Sequence, residues 1–253
     1  MPVWLRALAP IVFGIAAIVV WEVLVIALGI KPFVLPAPSE IWSQFVARFP
    51  TIVQSAGITG LNALLGLVLG VVLAILAAVI AALLDAVDEL TQPLVTALSV
   101  IPIAALAPVL YTMYGADQQT ARVIIAALAV FVPVYVNTLR GLRQVQPVHR
   151  DLMRANAATG WQATRTVTLP GAVPYLFTGI RIASSLAVIS ALIAEYFGGP
   201  VNGLATAITS AISYSATSLA YAFVLGSVLL GLLFFVVALG LERLATRHGA
   251  PAS

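Results

Sequence analysis

Six stretches of this chain are long and apolar enough to cross a membrane. They cover about residues 8–30, 57–84, 90–113, 121–139, 174–197 and 219–241. Each meets the roughly 20 residues that a helix needs to span the hydrocarbon core. In that solvent the backbone must bond to itself, so runs of this kind fold as helices. Charge usage agrees: 8% of the 253 residues are Asp, Glu, Lys or Arg, against about 25% in soluble domains. The expected fold class is an all-α membrane protein of six transmembrane helices, one transmembrane domain over residues 1–253. The first run lacks a small-residue cleavage site and reads as a retained span, not a signal peptide.

The connections sort by charge. Arg6, Arg140, Arg143, Arg150, Arg154, Arg165, Arg243 and Arg247 fall on one side if both termini share it, which is eight of the twelve basic residues. The positive-inside rule places that side, with both termini and the 140–170 loop, in the cytoplasm. The acidic connection Asp85–Glu89 falls inside too. Lys31, Arg48 and Arg122 flank the outer side, and Arg181 lies within the fifth span. Outside, Ser39 is placed to cap a short amphipathic helix running to Phe49. The uncharged stretch 198–210 reads as a turn followed by a short helix at the outer interface.

Much chemistry is excluded for want of residues. There is no cysteine, and the two histidines, His149 and His248, form no metal-binding pattern. No metal site and no nucleic-acid partner are expected. The single lysine, Lys31, precedes Pro32, so a phosphate-cradling GxxxxGK[ST] loop is ruled out. The chain is therefore not expected to be an enzyme, and uphill transport would draw on an ion gradient or on another polypeptide. Ion-coupled carriers bury several ionisable residues at mid-membrane. Here only Glu22, Arg181 and Glu195 qualify, so a stand-alone ion-coupled transporter or channel is the rival reading and a membrane scaffold a third.

The segment RANAATGWQATRTVTLP, residues 154–170, is polar and basic inside an apolar chain. Residues 151–163 are mostly helix formers, Gly160 is placed to end or kink that helix, and Trp161 presents a large aromatic that demands a cover. Thr168, Leu169 and Pro170 read as an extended turn into the fifth span. A short helix with a protruding aromatic, held between two spans, fits a groove on a partner.

This segment resembles the cytoplasmic "EAA" loop of binding-protein-dependent ABC importer permeases, whose pattern runs Glu-Ala-Ala, three residues, Gly, a variable run, then Ile-x-Leu-Pro. The acidic position falls on Asp151, the alanines on Leu152 and Met153, the glycine on Ala157, the isoleucine on Val167, and the Leu-Pro on Leu169 and Pro170. Because the glycine is replaced, the helix break is expected to move to Gly160. Leu35-Pro-Ala-Pro-Ser-Glu40, Leu169–Ala183 and Ala194-Glu-Tyr-Phe197 resemble the nitrate/sulfonate/taurine branch, and within it the permeases for pyrimidine precursors, riboflavin or similar heteroaromatics.

The resemblance implies a type I ABC importer permease fold in the bacterial cytoplasmic membrane. It implies a second permease subunit (homodimer or heterodimer), two cytoplasmic ATPase subunits and an extracytoplasmic solute-binding protein. No cofactor is expected on this chain, with ATP and Mg held by the ATPases. Coupling would fall to Asp151, Arg154, Ala157, Gly160, Trp161, Leu169 and Pro170. Asp151 would either favour the positive end of its helix or pair with Arg154. Polar and aromatic residues within spans are the candidates for the solute path: Asn62, Tyr111, Tyr135, Asn137, Ser184, Ser185, Ser190 and Glu195. Glu195 would alternatively form a salt bridge or face the external mouth. Gly66-x-x-x-Gly70 permits close helix approach, either within the chain or between permease subunits.

Overall fold

The computed structural model describes residues 3–115 and 118–246. Arg247 and His248 lie outside the described residues, as do the side chains of Arg6 and Arg150. Every regular element among the described residues is helical: α1 (Val3–Ala27), α2 (Pro38–Ala47), α3 (Phe49–Leu83), α4 (Asp85–Val100), α5 (Ile103–Tyr114), α6 (Thr120–Arg143), α7 (Pro147–Ala155), α8 (Gly160–Ala163), a π-helical turn (Thr164–Thr168), α9 (Leu169–Phe197), α10 (Leu204–Ser213) and α11 (Thr217–Thr246). Five helices are long and apolar enough to span a membrane, and six when α4 and α5 count together.

That pair corrects the expected third span. Residues 90–113 are not one straight helix, because α4 and α5 meet at 95°. Ile101 precedes Pro102 and takes an extended conformation (φ −62°, ψ 126°), as the clash with a following proline ring favours.

The chain forms two compact units. The first comprises Met1–Ile58 and Val201–Val228. In it α2 is pinned at its start by α1: the Ser39 amide and hydroxyl both donate to the Glu22 carboxylate, at 3.0 and 2.7 Å. Ser39 is therefore not the N-cap. Ala37 holds that position, Pro38 begins the helix, and the acceptor that complements the helix start comes from Glu22. Ser218 donates to Glu40 at 3.3 Å and Thr217 to the Phe33 carbonyl at 3.3 Å, so the start of α11 holds the same segment.

The second unit comprises Thr59–Pro200 and Leu229–Ser253. Its core is built from small residues of α3 (Ala63, Ala74, Ala78, Ala81), from Val130, Val134, Tyr135 and Leu139 of α6, and from Ala183, Ala187, Val188 and Ala191 of α9. In lipid, helices gain by close packing rather than by escaping water, which favours such residues at their contacts. A Cβ on Gly66 would lie 2.4 Å from Ala126 Cβ, and one on Gly70 would lie 2.6 Å from the Ala127 carbonyl oxygen. The Gly66-x-x-x-Gly70 pair therefore seats α3 on α6 within the chain. Further along α6, Gly141 packs against Ala172 and Tyr175, and Gly179 of α9 against Pro133, Val134 and Asn137.

Two ion pairs tie the charged ends of this unit together. Arg143, at the end of α6, lies 2.9 Å from Asp88 near the start of α4 and donates to the Ala81 carbonyl at 3.2 Å. The 85–89 connection and the beginning of the 140–170 loop therefore share one face. Arg181 Nε of α9 lies 2.9 Å from Glu242 Oε2 of α11, whose other oxygen accepts from Thr178 at 2.9 Å.

Gly66→Ala is expected to cost about 1–3 kcal/mol by overpacking the α3–α6 contact. Gly14→Ala, with open space around it, is expected to be neutral. Thermal unfolding of the two variants in mild detergent checks this: Gly66→Ala unfolds at the lower temperature.

Candidate functional site

The loop between α6 and α9 is built from two capped pieces. Gln146 is extended and Pro147 opens α7, a position where a missing N–H costs nothing. The helix ends in a Schellman arrangement: Ala158 N–H donates to the Met153 carbonyl at 3.0 Å and Ala157 N–H to the Arg154 carbonyl at 2.9 Å. Ala157 takes a positive φ of 50° to do so, in the left-handed region that favours glycine. The break has thus stayed where the family pattern carries glycine and has not moved to Gly160.

Gly160 opens the next helix instead of ending one. Thr159 caps it: its hydroxyl accepts from the Gln162 amide at 3.3 Å, while the Gln162 side chain accepts from the Thr159 amide at 2.7 Å. This reciprocal box is a strong helix start. From it Gly160–Phe197 runs as one 38-residue helix. No extended turn occurs at Thr168–Leu169, both of which are helical. Pro170 offers no N–H to the carbonyl one turn before it, and the adjoining π-turn, with Leu169 N–H on the Thr164 carbonyl, is a wider coil of the kind that absorbs such a mismatch.

Trp161 is 69% exposed on this helix start, and Val148 and Leu152 are exposed on α7. Asp151 is on the second turn of α7, away from its N-terminus, and lies 3.5 Å from Arg154 in an exposed i,i+3 pair. Such a pair adds little stability. Leu169 is 42% exposed where the loop enters α9.

The path candidates separate into one cluster and several scattered residues. Asn62, Tyr111 and Glu195 come together with Thr59, Gln119 and Arg122. Arg122, read from sequence as a flanking residue, is fully buried. It donates to Gln119 Oε1 at 2.9 Å, to Tyr111 Oη at 3.3 Å and to the Pro200 carbonyl at 2.6 Å, and Glu195 Oε1 stands 3.8 Å from its Nη1. Thr59 donates to the same Glu195 oxygen at 2.8 Å, Asn62 donates to Gln119 at 2.8 Å, and Tyr111 donates to the Ala194 carbonyl at 3.0 Å. The Tyr111 ring lies against Gly198 and Gly199. A Cβ at Gly199, where φ is 93°, would come within 2.7 Å of it.

The other candidates lie elsewhere. Tyr135 shares a 2.6 Å hydrogen bond with Thr91 and stacks on Phe131. Asn137 donates to the Pro133 carbonyl at 2.7 Å and Ser184 to the Arg181 carbonyl at 2.7 Å, one turn back in each helix. Ser185 is half-buried and Ser190 buried. Ser184 also borders an apolar groove of about 290 Å³ between Leu64, Leu67, Phe234 and Leu241. Among the described residues no group of acidic, histidine or cysteine side chains is placed to hold a metal.

With this architecture in view, the chain belongs to the family described as the binding-protein-dependent transport system inner membrane component, whose model matches residues 66–247. It is thus a membrane permease subunit of an ABC importer for small solutes, not a catalytic subunit. Its relatives include the riboflavin transport system permease protein RibX of Chloroflexus aurantiacus, 34% identical and covering 92% of this chain and 87% of that protein. They also include the formylaminopyrimidine transport permease protein ThiX of Halalkalibacterium halodurans, 31% identical over 76% of this chain and 77% of that one. The aliphatic sulfonates transport permease protein SsuC of Escherichia coli, itself putative in name, is 29% identical over 96% and 93%. Among solved structures, an inward-facing methionine ABC transporter matches with a TM-score of 0.63 at 19% identity, over 79% of this chain and 99% of that one. An amino acid ABC transporter matches with a TM-score of 0.62 at 15% identity, over 81% and 95%. These likenesses establish the fold.

Two outcomes follow from the geometry. Ala157→Gly is expected to stabilise the loop by about 1 kcal/mol, since an L-residue with φ above zero carries a penalty of that size. Slower hydrogen exchange of the Ala157 and Ala158 amides would show it. Glu195→Leu leaves Arg122 buried without its carboxylate and is expected to cost about 3–5 kcal/mol, which the double change Arg122→Met with Glu195→Leu largely recovers. Thermal unfolding of the three variants in detergent measures both arms.

Proposed function

We propose that this permease couples to a cytoplasmic ATPase through the 147–170 segment and carries a small heteroaromatic solute. The observation that carries the coupling reading is the exposed Trp161 at the capped start of the 38-residue helix Gly160–Phe197. A large exposed aromatic on a rigid base is the kind of anchor that dominates protein interfaces. Val148 and Leu152 on α7 widen the same apolar offering, and Asp151, Arg154, Ala157 and Gly160 shape it. Two ATPase subunits would dock on two permease subunits, identical or related, with ATP and Mg on the ATPases and no cofactor on this chain. An external binding protein would deliver solute, and both termini and the loop would face the cytoplasm.

The heteroaromatic solute is favoured by the names of the riboflavin and formylaminopyrimidine relatives, which match more closely than the sulfonate and taurine permeases. Few buried charges in the spans fit a neutral aromatic better than a strong anion. The solute would pass along Asn62, Tyr111, Tyr135, Asn137, Ser184, Ser185, Ser190 and Glu195.

The test is co-purification from the native host in mild detergent, with ATPase activity assayed on the eluate. Wild type is expected to bring down an ATPase. Trp161→Ala is expected to lose about 2 kcal/mol or more of binding, roughly a thirtyfold loss of affinity. A wild-type chain that emerges without an ATPase, or a Trp161→Ala variant that keeps it in full, overturns the reading.

A further inference from the structure

We propose that α2 is an interfacial helix, seated among lipid headgroups with its Trp42 and Val46 face, continued by Phe49 at the start of α3, against the upper acyl chains. The inference rests on the membrane assignment of the chain and is independent of its solute.

Three observations carry it. The first is the composition of the exposed face. Trp42 and Val46, one turn apart on α2, are 59 and 58% exposed, and Phe49 and Val53, one turn apart on α3, are each 51% exposed. Ile41, Phe45 and Ile52, on the opposite side, are buried. The stripe continues across the α2–α3 junction, where the buried Phe45 ring lies beneath it, stacked on Trp42 at 5.6 Å and edge-on to Phe49 at 5.7 Å. It therefore joins the apolar face of a spanning helix, whose neighbours in the bilayer are lipids.

The second observation is depth. Ser39, at the start of α2, is bound to Glu22, which lies within the apolar span Leu8–Ala27 and five residues before its end. At 1.5 Å per residue that is about 8 Å inward of the helix terminus. A helix whose first turn is tied at that level cannot stand clear of the membrane surface. It is also fixed, since Glu22 and Ser218 both hold it, so the aromatic face is presented and not merely mobile.

The third is the flanking chemistry. Lys31 and Arg48 are exposed at the two ends of the segment, and Lys31 Nζ lies 6.0 Å from the Phe33 ring. Tryptophan with nearby basic side chains is the signature of the headgroup region, where an amphipathic ring sits at the boundary and cations meet phosphates. A water-facing protein partner has no need of that pairing at membrane depth.

The chain contains no cysteine, so single-cysteine variants label cleanly. Trp42→Cys and Val46→Cys, each carrying a nitroxide in the full chain reconstituted in phosphatidylcholine vesicles, report collisions with oxygen, which concentrates among acyl chains, and with a nickel chelate, which stays in water. Asp85→Cys serves as the water-exposed reference. Oxygen collisions exceeding nickel collisions at both α2 positions, with the reverse at residue 85, are the expected result. Nickel dominating at positions 42 and 46 would place the face in water. Suppression of both collisions there would mean a protein cover, such as a second copy of the chain. Either result overturns the proposal, and Val46→Cys alone decides if Trp42→Cys fails to insert.

Discussion

Close backbone approach to α6 is the contact on which the second unit depends. At one level α3 reaches it through Gly66 and Gly70, and further along α9 reaches it through Gly179, with Gly141 of α6 itself admitting Ala172 and Tyr175. Lipid offers no hydrophobic reward for joining two apolar helices, so the gain comes from dispersion over well-fitted surfaces. Glycine and alanine bring the backbones near enough for that gain to accumulate. The same contacts set the register of α9 along α6. That register puts Glu195 beside Arg122 at one end and the entry of the 147–170 loop at the other.

The buried polar cluster is the costly element that this register allows. A guanidinium away from water is stable only when its charge and its donors are met. Here Gln119, Tyr111, the Pro200 carbonyl and Glu195 meet them. The carboxylate is in turn held by Thr59. Because these partners come from α3, α5, α6, α9 and the turn after α9, the cluster fixes five segments at once. Replacing either charge alone would therefore disturb more than one helix.

The spans were legible because hydropathy is a local property. The features that depend on distant partners were not. The break at Ile101–Pro102 is signalled by one proline, but a count of apolar residues over 90–113 passes straight across it. Ser39 had the right chemistry for an N-cap, yet the acceptor at that helix start comes from Glu22, seventeen residues earlier. Arg122 stood at the head of a span, where an arginine usually reaches for headgroups. Only the tertiary fold shows it turned inward to Glu195. Ala157 is the converse case. The family pattern asked for glycine, the chain has alanine, and the backbone keeps the left-handed break regardless, because the Schellman hydrogen bonds and the Thr159 capping box fix both sides of it.

One mechanical consequence joins the loop to the cluster. Trp161 and Glu195 lie on the same unbroken helical run, Gly160–Phe197, about 51 Å apart along its axis at 1.5 Å per residue. A displacement applied at the loop would reach the far end as motion of a rod, provided no flexible link intervenes. The π-turn at Thr164–Thr168 is the weakest stretch, but it continues helical bonding, and the Gly141 and Gly179 contacts clamp the rod to α6 beyond it. An extended turn at Leu169–Pro170 would have absorbed such a displacement. In the proposed coupling reading, the continuous helix is what lets a small loop in contact with an ATPase act on Glu195 and the polar cluster at the opposite end of the spans.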